Sequence, residues 1–194
     1  MSITRRLAAL GATALVAGAG FAAAPTSSAS AGPAAASAAA AATCTKTWGS
    51  LPKTNSTMVV GPLTNVRAGR HACYDRLVFD VRGKAPGYRV EYVDKLIQDG
   101  SGTVYPLRGG AKIKITLHAP SYDQNGDIVY LPPNRAEAVN VTGFTTFRQV
   151  RWLGSWEGYS EMGVGVRARL PFTVHTLYDG TNSKVVVDVA HSWR

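Results

Sequence analysis

The clearest fold signal in the chain is Lys112-Ile113-Lys114-Ile115-Thr116-Leu117, in which polar and apolar residues alternate. Successive side chains of an extended chain point to opposite faces. The alternation therefore places the isoleucines and the leucine on one face and the lysines on the other. A strand with one buried face has this pattern, so the stretch predicts a β-strand.

Other stretches extend the same interpretation. Tyr88–Val93 alternates less strictly, and Thr145–Leu153 and Gly163–Val174 predict longer strands. Turn signals rich in Gly, Pro, Asn and Asp separate them, and no stretch after residue 43 keeps helical spacing with proper caps. Short strands with frequent turns predict an all-β fold, a two-sheet β-sandwich of short antiparallel strands in a single domain.

One pattern occurs twice, because Arg76–Val81 and Lys184–Val189 both contain a basic residue, three apolar residues, an aspartate and a valine. Three consecutive apolar residues suit a strand that is covered on both sides. Two central strands with similar surroundings would produce this repetition, and so would an internal duplication. The sequence leaves both explanations open.

The first 31 residues have the three-part layout of a secretory signal peptide. Arg5 and Arg6 end a charged start, Leu7–Ala24 is apolar, and Ala29-Ser30-Ala31 resembles a cleavage site. We therefore predict a signal peptide over residues 1–31, which would contact the membrane only transiently. A retained anchor is the alternative, since the apolar stretch just reaches about 18 residues, the length at which a spanning helix becomes possible. The two arginines leave the general and twin-arginine export routes open.

The remaining chain divides by composition. Residues 32–43 are mainly Ala with some Gly, Pro and Ser and no charge, which predicts a linker. Aromatic, charged and branched residues then appear together, which predicts one folded domain over residues 44–194. Without Arg5 and Arg6, 19 of the 21 basic residues remain against 12 acidic ones, a net charge of +7. This charge favours a solvated surface or an anionic polymer outside the cell, where nucleic acid is out of reach.

Cys44 and Cys73 are the only two cysteines. An even count in an exported protein favours a disulfide bond, which would pin the N-terminal segment to the domain. Lipid attachment at Cys44 is the alternative, but this cysteine lies far beyond the apolar stretch and follows a poorly matching Ala-Ala-Thr.

The sequence lacks the common motifs for metal binding and nucleophilic catalysis. The four histidines have no metal-ligand spacing, Asp123–Asp127 departs from a calcium loop, and no Gly-x-Ser-x-Gly turn occurs. We therefore predict a protein that is not an enzyme, with no cofactor and no metal. A cell-wall hydrolase is an alternative, because Glu157 and Glu161 lie beside Trp156 and Tyr159 as acids do in sugar sites.

The best candidate for a binding surface is the region richest in aromatic and basic residues. Guanidinium groups pair with carboxylates or phosphates, and flat aromatic rings stack on sugars. The predicted binding residues are Arg148, Arg151, Trp156, Tyr159, Arg167 and Arg169. The alternative is that the arginines are solvated outward positions of strands.

Segments spread over residues 44–191 resemble those of secreted actinobacterial proteins with an AMIN-like domain. These segments are Trp48–Ser50, Gly69–Val81, Pro86–Tyr92, Gly109–Ala111, Trp156–Tyr159, Gly163–Val166, Leu170–Val174 and Val187–His191. The resemblance implies a β-sandwich. AMIN domains of exported cell-wall amidases and secretion components localise their partners by binding peptidoglycan.

These observations together predict a secreted, wall-associated, non-catalytic β-sandwich. Its expected partner is a cell-wall glycan, peptidoglycan or an anionic polymer of the envelope, and not nucleic acid. A secreted inhibitor or protein-interaction module is the alternative, and Tyr122–Asn134 would be its exposed loop.

Overall fold

The computed structural model describes Cys44 and residues 47–193. Every secondary-structure element in this part of the chain is a β-strand. The strands are β1 (Lys53–Asn55), β2 (Leu63–Arg70), β3 (Tyr74–Arg82), β4 (Tyr88–Val93), β5 (Leu96–Ile97), β6 (Val104–Tyr105), β7 (Ala111–Leu117), β8 (Phe147–Trp156), β9 (Tyr159–Val166), β10 (Phe172–Tyr178) and β11 (Asn182–Ala190). No helix among the described residues is long and apolar enough to cross a membrane. The predicted signal peptide and linker lie outside these residues.

The strands form two main antiparallel sheets and a small third sheet. The strand order is β1-β4-β7-β9-β8 in the five-stranded sheet, β10-β11-β3-β2 in the four-stranded sheet and β5-β6 in the small one. Buried apolar side chains from both main sheets meet in one core. The predicted all-β, two-sheet β-sandwich in a single domain is confirmed.

The stretch with the clearest alternation forms β7, the middle strand of the five-stranded sheet. Ile113, Ile115 and Leu117 are each 1 % exposed and belong to the core, whereas Lys112 and Lys114 alternate with them on the outer face. Strand β7 pairs with β4 on one side and β9 on the other. The four-stranded sheet contributes the other half of the core, including Leu77, Phe79, Val185 and Val187.

The prediction of one long strand over Gly163–Val174 is wrong. Strand β9 ends at Val166, the chain bends at residues 167–169, and β10 begins at Phe172 in the other sheet. Both strands bury apolar side chains in the same core. The apolar pattern therefore continues across the change of sheet and conceals it.

The repeated pattern falls on β3 and β11, which are neighbours at the centre of the four-stranded sheet. The two strands are antiparallel, so Arg76 lies opposite Asp188 and Asp80 lies opposite Lys184. Arg76 Nε and Nη2 bind the two Asp188 carboxylate oxygens at 2.7 and 2.8 Å. Two central strands with matching surroundings therefore account for the repetition.

The predicted disulfide bond between Cys44 and Cys73 is confirmed, with a Cα–Cα distance of 5.2 Å. Cys73 immediately precedes β3, a central strand. The bond therefore ties Cys44 to the start of a strand in the middle of the fold.

Replacing both cysteines, Cys44→Ser with Cys73→Ser, frees the unfolded chain from this constraint. We expect the free energy of unfolding to fall by about 3 kcal/mol, because the bonded residues are 29 positions apart in sequence. Urea denaturation followed by tryptophan fluorescence measures the change. The unmodified protein in a reductant should behave like the variant, and a free energy that changes in neither case would contradict this role.

Candidate functional site

Residues 94–110, which we call the flap, lie across the outer face of the five-stranded sheet. Leu96 of the flap is fully buried. A Cβ atom at Gly163 of β9 would collide with the Leu96 side chain, and one at Gly165 would collide with the flap backbone. The two glycines therefore let the flap pack directly on the strand.

Three charged side chains form a cluster between the flap and the sheet. Lys114 Nζ lies 3.0 Å from Glu161 Oε1 and 2.6 Å from Asp99 Oδ1. The Asp99 backbone N–H donates a hydrogen bond to Glu161 Oε2 at 3.2 Å. Glu161 is only 1 % exposed, although it lies on the outer face of β9. The cluster ties the flap to β7 and β9.

The two carboxyl groups of this cluster have different pKa values. Burial raises the pKa of Glu161 to about 7, and a hydrogen bond between the Asp99 and Glu161 side chains adds to the shift, whereas Lys114 and the Asp99 backbone N–H oppose it. The bond between the two side chains and the neighbouring Lys114 lower the pKa of Asp99. Below neutral pH, Glu161 therefore keeps its proton while Asp99 is ionised.

A cleft of about 340 Å³ lies beside the cluster, and we call it the aromatic cleft. Asp99 and Gly100 of the flap form one wall, and the turn between β8 and β9 forms the other. The lining residues are Asp99, Gly100, Thr116, Trp156, Glu157, Tyr159 and Glu161. Aromatic rings, a hydroxyl group and carboxyl groups thus face one opening.

The turn that shapes this cleft is a two-residue hairpin loop. Trp156 pairs with Tyr159, and Glu157 and Gly158 between them have φ values of 49° and 83°. Positive φ at both positions is the geometry of a type I′ turn. A positive φ is favourable for glycine but unfavourable for a residue with a side chain such as glutamate. The turn holds Trp156 and Tyr159 at the end of the sheet.

A second, more polar cleft of about 530 Å³ lies next to the first. Its lining residues are Thr54, Asn55, Ser56, Tyr88, Arg89 and His118. The His118 and Tyr159 rings meet edge to face, with centroids 5.2 Å apart. This ring contact joins the two clefts into one surface at the end of the five-stranded sheet.

The structure divides the six predicted binding residues among different places, and only two of them line the aromatic cleft. Trp156 and Tyr159 line the aromatic cleft. Arg148 and Arg167 both lie at the other end of β8 and β9, where Phe147 pairs with Val166. Eight residue steps along β8 lead from Arg148 to Trp156, a distance of about 26 Å in an extended strand.

The other two predicted residues hold segments of the fold. The Arg151 guanidinium lies 4.3 Å from the Tyr105 ring centroid of the flap, and its buried Nε has no hydrogen-bond partner among the residues that the structure describes. Arg169 donates to Ser50 and stacks 4.8 Å from the Tyr92 ring centroid. Both guanidinium groups therefore attach distant parts of the chain to the sandwich.

The sequence interpretation missed three residues around the cleft. In the sequence, Asp99 belongs to a turn signal, and Lys114 and Thr116 belong to a stretch that predicts a strand, so neither pattern marks a binding residue. The pairing of β7 with β9 places Thr116 opposite Glu161 and so brings Thr116 and Lys114 to the cleft and its charged cluster. No local pattern predicts a contact between residues this far apart in the chain.

The acidic loop that departs from a calcium site forms an ordinary turn. Asp123 Oδ1 accepts hydrogen bonds from the backbone N–H groups of Asn125 at 2.9 Å and Asp127 at 3.1 Å. Among the residues that the structure describes, no three His, Cys, Asp or Glu side chains are grouped as metal ligands.

The fold is a two-sheet antiparallel β-sandwich with clefts on its surface. The model of the AMIN-like domain family matches residues 61–191, and the chain belongs to this family. AMIN-like domains are generally non-catalytic binding modules of the cell envelope, and the disulfide bond agrees with an extracytoplasmic location. No curated protein and no solved structure matches the chain.

The carboxyl cluster makes stability depend on pH. The pKa of Glu161 is raised from 4.5 to about 7 in the folded protein. Between these values the folded protein binds more protons than the unfolded chain, so the stability contributed by protonated Glu161 is lost as pH rises through 7. We expect the free energy of unfolding to fall between about pH 5 and pH 8, by at most about 3 kcal/mol.

Urea denaturation across this pH range measures the effect. Glu161→Gln keeps the side-chain shape without the titration and should flatten the dependence. Glu91→Gln is the matched control, since this half-buried glutamate lies on the same face and pairs with Arg89. An equal slope in the Glu161→Gln variant and the unmodified protein would contradict the assignment.

Proposed function

We propose that the protein is an exported, non-catalytic domain that binds a cell-wall polymer, peptidoglycan or an anionic glycan, and that the aromatic cleft holds uncharged sugar units of that polymer. Membership of the AMIN-like family supports the binding role. The observation that carries the choice of site is the pair of half-buried rings, Trp156 and Tyr159, at the opening of the cleft. The signal peptide over residues 1–31 and the linker before the domain belong to this proposal.

The composition of the cleft suits a glycan strand. The flat faces of Trp156 and Tyr159 can stack on the apolar faces of sugar rings. The Thr116 hydroxyl and the Asp99 and Glu157 carboxylates can bind sugar hydroxyl groups. The neighbouring polar cleft lengthens this surface, so that more than one sugar unit can lie along it.

The carboxyl groups of the cleft favour binding over hydrolysis. A glycosidase needs one carboxyl group that reaches the glycosidic oxygen and a second one about 5 Å or more away. Glu161 is instead buried, hydrogen-bonded to Asp99 and paired with Lys114. These contacts support a structural role for Glu161 in holding the flap.

A secreted protein-interaction or inhibitor module is the second candidate, favoured by the loop Tyr122–Asn134. Ile128 and Leu131 of this loop are 69 % and 47 % exposed. Backbone hydrogen bonds from Val129 and Tyr130 to the Ser121 carbonyl oxygen, at 2.8 and 3.0 Å, hold the loop against the domain. An ordered loop with exposed apolar side chains suits a protein partner.

The proposal predicts that the cleft rings are needed for retention on purified cell-wall sacculi. We expect Trp156→Ala with Tyr159→Ala to weaken retention by about tenfold or more, because each stacked ring contributes on the order of 1 kcal/mol. Pull-down of the full chain at low salt measures this. Tyr178→Ala is the control, since Tyr178 is 55 % exposed on the other sheet.

Three results would contradict the proposal. They are no retention of the unmodified protein, equal loss in the Tyr178→Ala control, or release of soluble fragments that stops on Glu157→Gln. A stoichiometric protein partner recovered from culture medium and lost on Ile128→Asp would favour the second candidate instead.

A further inference from the structure

Three arginines that are distant in sequence lie at one end of the sandwich. Arg70 ends β2, Arg148 is the second residue of β8, and Arg167 follows the last residue of β9. The buried Asp75 of β3 joins the two sheets at this end, because its Oδ2 accepts hydrogen bonds from the backbone N–H groups of Thr146 and Phe147. We call the place marked by the three arginines the arginine end.

The residues 143–147 hold these arginines together. Arg70 Nη1 donates to the Gly143 carbonyl oxygen at 3.4 Å. Arg148 donates to the carbonyl oxygens of Phe144, Thr145 and Phe147 at 3.1, 3.1 and 2.9 Å. The Arg167 backbone N–H donates to Thr146 at 2.8 Å, and its guanidinium group donates to the His191 carbonyl oxygen. The Arg70 and Arg148 side chains are thus anchored to this segment, while Arg167 is attached to it through its backbone and binds His191 with its side chain.

These contacts orient the arginines without neutralising them, because carbonyl oxygens carry no formal charge. Within the described part of the chain, no carboxylate oxygen lies within 4.0 Å of these three side chains. Four other arginines, Arg67, Arg76, Arg89 and Arg108, instead each bind both oxygens of a carboxylate. The Asp75 carboxylate at this end is already bound by Thr146, Phe147 and His191, so the positive charges of the three arginines stay unpaired and favour a bound anion.

We propose that the arginine end is a second binding site, which takes the oxyanion groups of an anionic polymer, phosphodiester or carboxylate. Guanidinium groups match both anions with paired N–H donors. Arg70 and Arg167 are exposed and Arg148 is half-buried, so a chain of anions can reach all three. That the polymer belongs to the cell envelope rests on the proposed function, whereas the anion chemistry does not.

The test measures binding of the full chain to three soluble polymers: poly(glycerol phosphate), polyglutamate and neutral dextran. We expect Arg70→Gln with Arg167→Gln to weaken polyanion binding by about tenfold or more and to reduce its salt dependence, since two charged contacts are lost. The matched control is Arg82→Gln with Lys84→Gln, which removes the same charge from two exposed residues at the opposite end of β3. Dextran binding should not respond to either pair.

The outcomes separate the possible anions from each other and from the aromatic cleft. Loss restricted to poly(glycerol phosphate) or to polyglutamate identifies the anion, and loss on both supports their shared chemistry. The cleft variants Trp156→Ala and Tyr159→Ala should keep polyanion binding. The single variant Arg70→Gln removes only one long hydrogen bond of 3.4 Å and serves if the double variant is unstable. Equal weakening by the control pair, or no binding of either polyanion at low salt, overturns the proposal.

Discussion

Strand β9 is buried on both faces, and each face places a different requirement on its sequence. The core face carries Met162, Val164 and Val166, whose burial stabilises the fold by about 1.5–3 kcal/mol for each side chain. The outer face must leave room for the flap, and glycine at 163 and 165 meets this need. The segment Met-Gly-Val-Gly-Val therefore satisfies two packing surfaces at once.

The packing of the flap on β9 also explains why a charged cluster lies beside the aromatic cleft. Glu161 is the next outward residue of β9, so the flap that packs on the glycines also removes this carboxyl group from water. A buried carboxyl group is costly unless it is paired or protonated. Lys114 and Asp99 supply the partners, and they fix the part of the flap that forms one wall of the aromatic cleft. The flap therefore covers β9 and forms a wall of the aromatic cleft through the same set of contacts.

The sequence predicts those features that depend on neighbouring residues. The alternation in β7 lies within one short stretch, and it predicts that strand and its buried face. The change of sheet after Val166 is hidden, because both sheets bury their apolar residues in one core. The cluster of Asp99, Lys114 and Glu161 joins three segments through strand pairing, which no local pattern encodes. The six predicted binding residues lie apart for a related reason. Residues that are near one another in sequence are far apart in space when they lie along an extended strand.

Net charge is a poor guide to the surface of this protein, because four arginines are neutralised by carboxylates while those at the arginine end are not. The acidic residues Asp99, Glu157 and Glu161 gather at the aromatic cleft instead. The two ends are about 26 Å apart along β8, whereas salt screens exposed charges beyond about 8 Å at physiological ionic strength. Each end therefore acts as a separate electrostatic site. An uncharged glycan at the cleft and an anionic polymer at the arginine end can be bound without competing, which would orient the domain between them.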